Sequence, residues 1–413
     1  MRRQHGPRGV ERPSPRGLAA ALTALMALAA TSLVAGPAVA ATDDLEPCVL
    51  PRTPAHHSLG LDDWNGSYPR PDHRLDAVMI FLSFPDAEPV VGPEVLTADY
   101  FPSTTRFFER ASYGAFTLRP HPMDRWTPMP RDSTWYGIER DWDSGRRTAY
   151  LRDAIEAADD RVDFSRYDIV YLVADPDAPG VDSDATKVVN FDRPMRADGA
   201  DVKRVVTVFE QHPPDRNVLA HETGHVFDLA DLYHRPEDGK GDWDTHVGDW
   251  DVMGSQFGLA PDLFGWHKWK LGWIDDRQIV CVQGRADLTL EPVAAAPVPG
   301  GTLGTRLAVV RTGEDSVLAV EARGATGNDR HTCSEGVLIY RVRGGTASGG
   351  GPVEVVDAHP ETEACWDRSV YPPLADAPLR EGETFTLPEE RTRIEVADRT
   401  PSGAWTVRIT TGV

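Results

Sequence analysis

The chain has 413 residues, with 64 acidic against 43 basic side chains and a formal charge of −21 at pH 7. An excess of that size argues against nucleic acid or an anionic membrane surface as a partner. A hydrophobic content of 40 % excludes wholesale disorder, and the length points to two domains rather than one. In chain order, the first element is a targeting segment. Arg2, Arg3, Arg8, Arg12 and Arg16 precede an apolar run from Leu18 to Val34, and Ala38-Val39-Ala40 supplies the small-x-small pattern of a signal-peptide cleavage site. Residues 1–40 are therefore expected to be a signal peptide. The mature protein is expected to be secreted and extracellular, without stable membrane association. No later stretch is apolar for the roughly 20 residues that a bilayer span needs.

Residues 41–73 lack periodicity and read as an N-terminal arm or linker. Ala77–Phe84 is a continuous apolar run closed by Pro85-Asp86, the pattern of a buried strand. Tyr100–Ser112 and Ala149–Ala158 carry apolar residues at helical spacing, and Tyr167–Ala174 and Val202–Phe209 read as two further strands. This alternation predicts an α/β sandwich-like domain over residues 74–281. Beyond Cys281 the pattern changes to short β-rich runs: Leu288–Leu290, Arg306–Arg311, Val317–Glu321, Val337–Val342, Thr384–Leu387, Arg393–Val396 and Trp405–Ile409. Residues 282–413 are thus expected to form a mostly β C-terminal domain, with Gly344–Gly351 as a flexible loop. An exported chain with four cysteines implies two disulfides. Of the three pairings, Cys48–Cys281 with Cys333–Cys365 is expected: the second closes a local loop, and the first ties the mature N-terminus to the end of the α/β part.

The chemistry concentrates at His221-Glu222-Thr223-Gly224-His225. Residues four apart share one face of a helix, so His221 and His225 present two imidazoles to one point, a good pair of zinc ligands. Glu222, one step round, reaches an attacking water without ligating the metal and can act as general base. The five-residue pattern alone is only moderately specific. An apolar stripe of Val218, Leu219, Val226 and Leu229 marks the helix as buried and strengthens it.

The flanks extend the pattern. Phe84-Pro85-Asp86, Ser112-Tyr113-Gly114, the run from His221 to Tyr233, Trp250-Asp251-Val252-Met253-Gly254 and the run from Lys268 to Ile274 occur in an order that resembles the immune inhibitor A family of secreted zinc metallopeptidases, over about residues 74–280. The resemblance implies a zincin-like catalytic domain of metzincin type, with a mixed sheet and an active-site helix. It places the third zinc ligand ten residues beyond the first histidine, at Asp231, and makes Met253 the Met-turn beneath the metal. The family usually has Gly three residues after the second histidine; here that residue is Asp228, which tolerates a left-handed backbone less well. Asp228, His234 and His246 are the other candidates for third ligand. Tyr233 either supports the site by packing or stabilises the tetrahedral intermediate through its hydroxyl.

Asp175, Asp177, Asp182 and Asp184 occupy a Gly/Pro loop of the oxygen-rich kind that can hold Ca2+, though without EF-hand spacing. Gly-Asp-Trp-Asp occurs twice, at 241–244 and 248–251. The expected function is a monomeric, zinc-dependent endopeptidase acting on proteins or peptides, with Glu222 as general base. The alternative is a catalytically impaired, zinc-stabilised binding protein of the same fold, suggested by Asp228.

Overall fold

Three prolines and few apolar residues hide one of the five strands that carry the helix of His221 and His225, so the first sheet is larger than the sequence suggests. The computed structural model describes residues 45–236, 240–297, 301 and 303–412; the expected signal peptide lies outside them. In chain order the first part contains β1 (Arg74–Ser83), α1 (Pro93–Tyr100), α2 (Ser103–Ala111), β2 (Thr117–Pro128), the single turn α3 (Ser133–Tyr136), α4 (Ser144–Ala158), β3 (Ile169–Ala174), β4 (Lys187–Ala197), β5 (Ala200–Val208) and α5 (Val218–Val226). The strands form one mixed sheet, ordered β2-β1-β3-β5-β4. β1, β2, β3 and β5 run parallel, and β4 pairs antiparallel with β5 at one edge. β2 carries Pro120, Pro122 and Pro128, which an edge strand tolerates because half of its amides need no partner.

Both faces of this sheet are covered, which is why β1 and β3 read as unbroken apolar runs. Ala77, Met79 and Phe81 face a core shared with α2 and α5; Val78, Ile80 and Leu82 face a second core built on α4. α4 begins at Asp143, whose side chain accepts from the Arg146 amide as an N-cap.

After α5 come α6 (Gly265–Lys270) and then strands alone: β6 (Ile279–Cys281), β7 (Arg285–Leu290), β8 (Leu307–Arg311), β9 (Ser316–Arg323), β10 (Gly336–Arg343), β11 (Val353–Val356), β12 (Thr384–Leu387), β13 (Thr392–Arg399) and β14 (Trp405–Thr411). The C-terminal part is therefore mostly β, as its composition suggests. Its strands make two sheets, β11-β10-β9-β8-β6 and β12-β13-β14-β7, with a third core between them.

β6, which ends at Cys281, already pairs with β8 in the second sheet, and one core runs across residues 281/282. Leu307, Val309, Ala319, Leu338 and Tyr340 belong to the same apolar cluster as α5. Polar contacts cross there too. Glu321 on β9 accepts from the Gly265 amide at 2.7 Å and pairs with Arg323 at 3.0 Å, all fully buried. Residues 45–73 hold little regular structure, as an arm would, yet they are packed into this core. Leu50 and Leu59 are fully buried, and the Trp266 indole donates to the Leu59 carbonyl at 3.0 Å. Both expected disulfides, Cys48–Cys281 and Cys333–Cys365, are present. No described helix is long and apolar enough to cross a membrane.

Candidate metal centre

α5 is nine residues long and every one of them is buried. Its 3.6-residue turn stacks His221 over His225, and a backbone carbonyl orients each ring. His221 Nδ1 meets the Val252 carbonyl at 2.8 Å, and His225 Nδ1 meets the Leu229 carbonyl at 2.8 Å. A carbonyl only accepts, so each Nδ1 carries a proton and each Nε2 turns to the common point. The two Nε2 atoms lie 3.2 Å apart. Asp231 Oδ1 completes the cluster at 3.2 Å from His221 Nε2 and 3.0 Å from His225 Nε2. Among the described residues this is the one group of three or more His, Cys, Asp or Glu whose donor atoms converge within 4.8 Å. Two imidazoles and a carboxylate are a donor set that suits a divalent metal such as zinc.

Glu222 stands beside the cluster. One of its carboxylate oxygens is buried without a hydrogen-bond partner, and Val188 of β4 lines the same cavity. Burial pushes Glu222 above the usual glutamate range, opposed by the two histidines. Burial pulls His225 down, but the Asp231 carboxylate outweighs it and holds the ring at about 9. The same contacts hold Asp231 well below the ordinary aspartate range against the pull of burial.

Two turns support the helix. Trp250–Gly254 passes beneath it: Met253 is fully buried, and a Cβ on Gly224 would lie 2.3 Å from the Met253 sulfur. Only glycine fits at the fourth position of His-Glu-Thr-Gly-His for that reason. Asp251 braces the turn through the Met253 and Phe264 amides at 2.8 and 2.7 Å and His267 Nδ1 at 3.0 Å. The second turn follows the helix. Asp228 has φ of 60°, the left-handed conformation that the departure from Gly had put in question. Its carboxylate is buried against Arg52 Nη1 at 3.0 Å, His57 Nδ1 at 2.9 Å and Lys270 Nζ at 3.4 Å. The hydrogen bond from His57 and the charges of Lys270 and Arg52 hold Asp228 ionised, below its ordinary range despite burial.

No family model matches this chain, and no curated protein matches it. Two crystal structures of OgpA from Akkermansia muciniphila align weakly. The wild-type protein is 12 % identical over 71 % of this chain and 94 % of that one, with a TM-score of 0.26. The catalytically inactive form in complex with an O-glycopeptide (glycodrosocin) substrate is 15 % identical over 63 % and 74 %, also at 0.26. Overlap at that score carries no argument about fold or function.

Of the four residues considered as third ligand, Asp231 is the one brought to the histidines. Asp228 is engaged by cations from the arm and α6. His234 and His246 stack on each other, rings 4.7 Å apart, outside the cluster. Asp175, Asp177, Asp182 and Asp184 do not gather three donor atoms on one point. Asp177 and Asp184 instead donate their amides to Asp175 and Asp182 at 3.1 and 3.0 Å, as in Asx turns. Tyr233 lines the cavity in front of the cluster and stacks on Trp243 at 5.3 Å. Burial and the nearby Asp231 raise its phenol far above the ordinary range.

That cavity measures about 560 Å³ and is walled on one side by edge strand β4 through Lys187, Val188 and Asn190. Three contributors escaped the sequence reading. Ser348 Oγ donates to Asp231 Oδ2 at 2.9 Å and accepts from the Asp231 amide at 2.9 Å, with the Gly349 amide on the Asp231 carbonyl at 3.1 Å. Gly344–Gly351, expected to be a free loop, thus holds the carboxylate. His57 lies against His225, rings 5.5 Å apart and near parallel. β4 itself was hidden by an irregular register between Asn190 and Met195. No local pattern marks any of the three, because each acts across 30 to 170 residues of chain.

Proposed function

We propose that this protein is a secreted zinc endopeptidase of the immune inhibitor A type, with a zincin-like catalytic domain and zinc held by His221, His225 and Asp231. The observation that carries the reading is the convergence of two oriented Nε2 atoms and one carboxylate oxygen beside a buried glutamate whose second oxygen is unpartnered. When bound, zinc supplies Lewis-acid activation of the scissile carbonyl and of the attacking water.

This chain's own residues do the rest. Glu222 takes the proton of the attacking water and passes it to the leaving amine. A carboxylate raised by burial is better matched to both transfers near neutral pH. β4 has one side unpaired in its sheet, so an extended peptide can lie along it and exchange backbone hydrogen bonds, with the scissile bond brought to Glu222. Tyr233, neutral at working pH, is placed to donate to the developing oxyanion. Substrates are proteins or peptides and the working form is a monomer.

The alternative, a catalytically impaired zinc-stabilised binder, is suggested by Asp228, and the geometry of that turn speaks against it. The turn is left-handed as glycine would make it, and the carboxylate is fully partnered. The deciding experiment is elemental analysis of the purified protein beside a casein-cleavage assay with and without chelator. About one zinc per chain with chelator-sensitive cleavage supports the reading; cleavage that survives full metal removal overturns it.

A further inference from the structure

On the far side of the cavity wall lies a second, smaller pocket of about 220 Å³ that the peptidase reading does not use. It is lined by Arg106, Arg110, Arg216, Arg330, His331 and Asn217, and no carboxylate lines it. In a chain of net charge −21 such a gathering of cations is anomalous. Its cations come from three separate segments. Arg106 and Arg110 stand one turn apart on one face of α2, Arg216 precedes α5, and Arg330-His331 follows the 3-10 turn Gly327–Asp329. Among the described residues none of these four arginines has an acidic partner within 4.0 Å, whereas arginines elsewhere on this surface are commonly paired, as Arg399 is with Glu335 at 2.8 Å. Of the acids adjacent in sequence, Asp329 is buried and engaged by Arg323 at 2.7 Å, Asp215 Oδ2 accepts from Gln256 Nε2 at 3.1 Å, and Glu109 is exposed on α2 and does not line the pocket. Arg216 also donates to the carbonyls of Phe257 and Gly258, and Phe257 lines the larger cavity, so one side chain joins the two pockets through the wall.

We propose that this pocket is an oxyanion-binding site, taking a sulfate or phosphate group, free or carried as an ester. Guanidinium forks suit tetrahedral oxyanions because two parallel N–H groups meet two oxygens, and unpaired arginines converging on one concavity leave charge that only an anion neutralises. The site shares no residue with the metal centre and its test needs no turnover, so its failure and the failure of the peptidase reading are separable.

The test is calorimetric titration of the full-length chain with inorganic sulfate and inorganic phosphate, at ionic strength held constant with chloride. One saturable site is expected, weakened about tenfold or more in an Arg106→Gln/Arg110→Gln double variant. Both side chains are exposed, so the variant keeps its unfolding temperature in the absence of anion. Arg330→Gln, on another segment, is expected to weaken binding as well, and Arg106→Lys to fall between because it keeps charge and loses the fork. O-phosphoserine binding tighter than inorganic phosphate identifies a carried ester; equal affinity identifies the free ion. Absence of a saturable site in the native chain overturns the proposal. So does binding unchanged in both the double variant and Arg330→Gln, which would place the anion elsewhere, such as at the metal centre.

Discussion

The helix α5 and the turn that follows it, residues 227–233, each deliver donor atoms to the same point by opposite means. The helix needs only its own periodicity: two histidines four apart meet because an α-helix turns every 3.6 residues. The turn has no such internal rule. It is held in a left-handed step at Asp228 by Arg52, His57 and Lys270, and its Asp231 carboxylate is held by Ser348, 117 residues away. A short periodic element can be precise alone, while an irregular one must borrow its precision from elsewhere in the chain.

Substitutions can break or sharpen that contrast. The largest effect is expected on the helix itself. Glu222→Gln should lower kcat by about 10²–10⁴-fold, the usual worth of a general base, while metal content by elemental analysis stays at the native level. A loss of metal in that variant would mean that Glu222 is a ligand and the helix half is misread. In the turn, Asp228→Ala leaves Lys270 buried without its carboxylate and is expected to cost about 3–5 kcal/mol of stability by denaturant unfolding. Asp228→Gly should cost about 1 kcal/mol less, because glycine takes φ of 60° without strain. Equal losses in the two variants would show that the charge cluster alone, and not the backbone, sets the turn.

Ser348→Ala tests the borrowed precision more gently. Removing a hydrogen bond that orients a ligand is expected to weaken metal binding about 10–100-fold in a chelator competition, with the fold unchanged. An unchanged affinity would mean that the turn holds Asp231 unaided. The smallest effect concerns Asp244, farther along the same loop. Burial, with Asp242 beside it, raises Asp244 from 3.8 to about 6. The folded chain therefore holds an extra proton between those values, and stability falls as pH rises through that window. Asp244→Asn should raise stability by about 1 kcal/mol at pH 7, after allowance for solvent screening, and leave it unchanged near pH 3.5. The comparison of melting temperatures at the two pH values checks the sign.

The tetrapeptide Gly-Asp-Trp-Asp shows how far local sequence reaches. In its first copy Trp243 is half-buried at the cavity, between Tyr233 and Arg235; in its second Trp250 is fully buried and donates to the Leu374 carbonyl at 2.8 Å. Identical residues take opposite environments because the neighbouring segments differ.

From sequence alone came the helix with its paired histidines and glutamate, the buried strands β1, β3 and β5, the change to β-rich structure after Cys281, and both cysteine pairings. All but one rest on periodicity, apolar runs or chain proximity, which are properties of neighbouring residues; Cys48–Cys281, 233 residues apart, follows from the local pairing of the other two cysteines. Tertiary structure alone decided that the arm at residues 45–73 packs beneath the site, that the Gly-rich loop orients Asp231, and that an irregular edge strand walls the cavity. Those outcomes depend on contacts between segments far apart in the chain, whose energies are set by packing and charge pairing after the chain has closed on itself and leave no mark in any short stretch of residues.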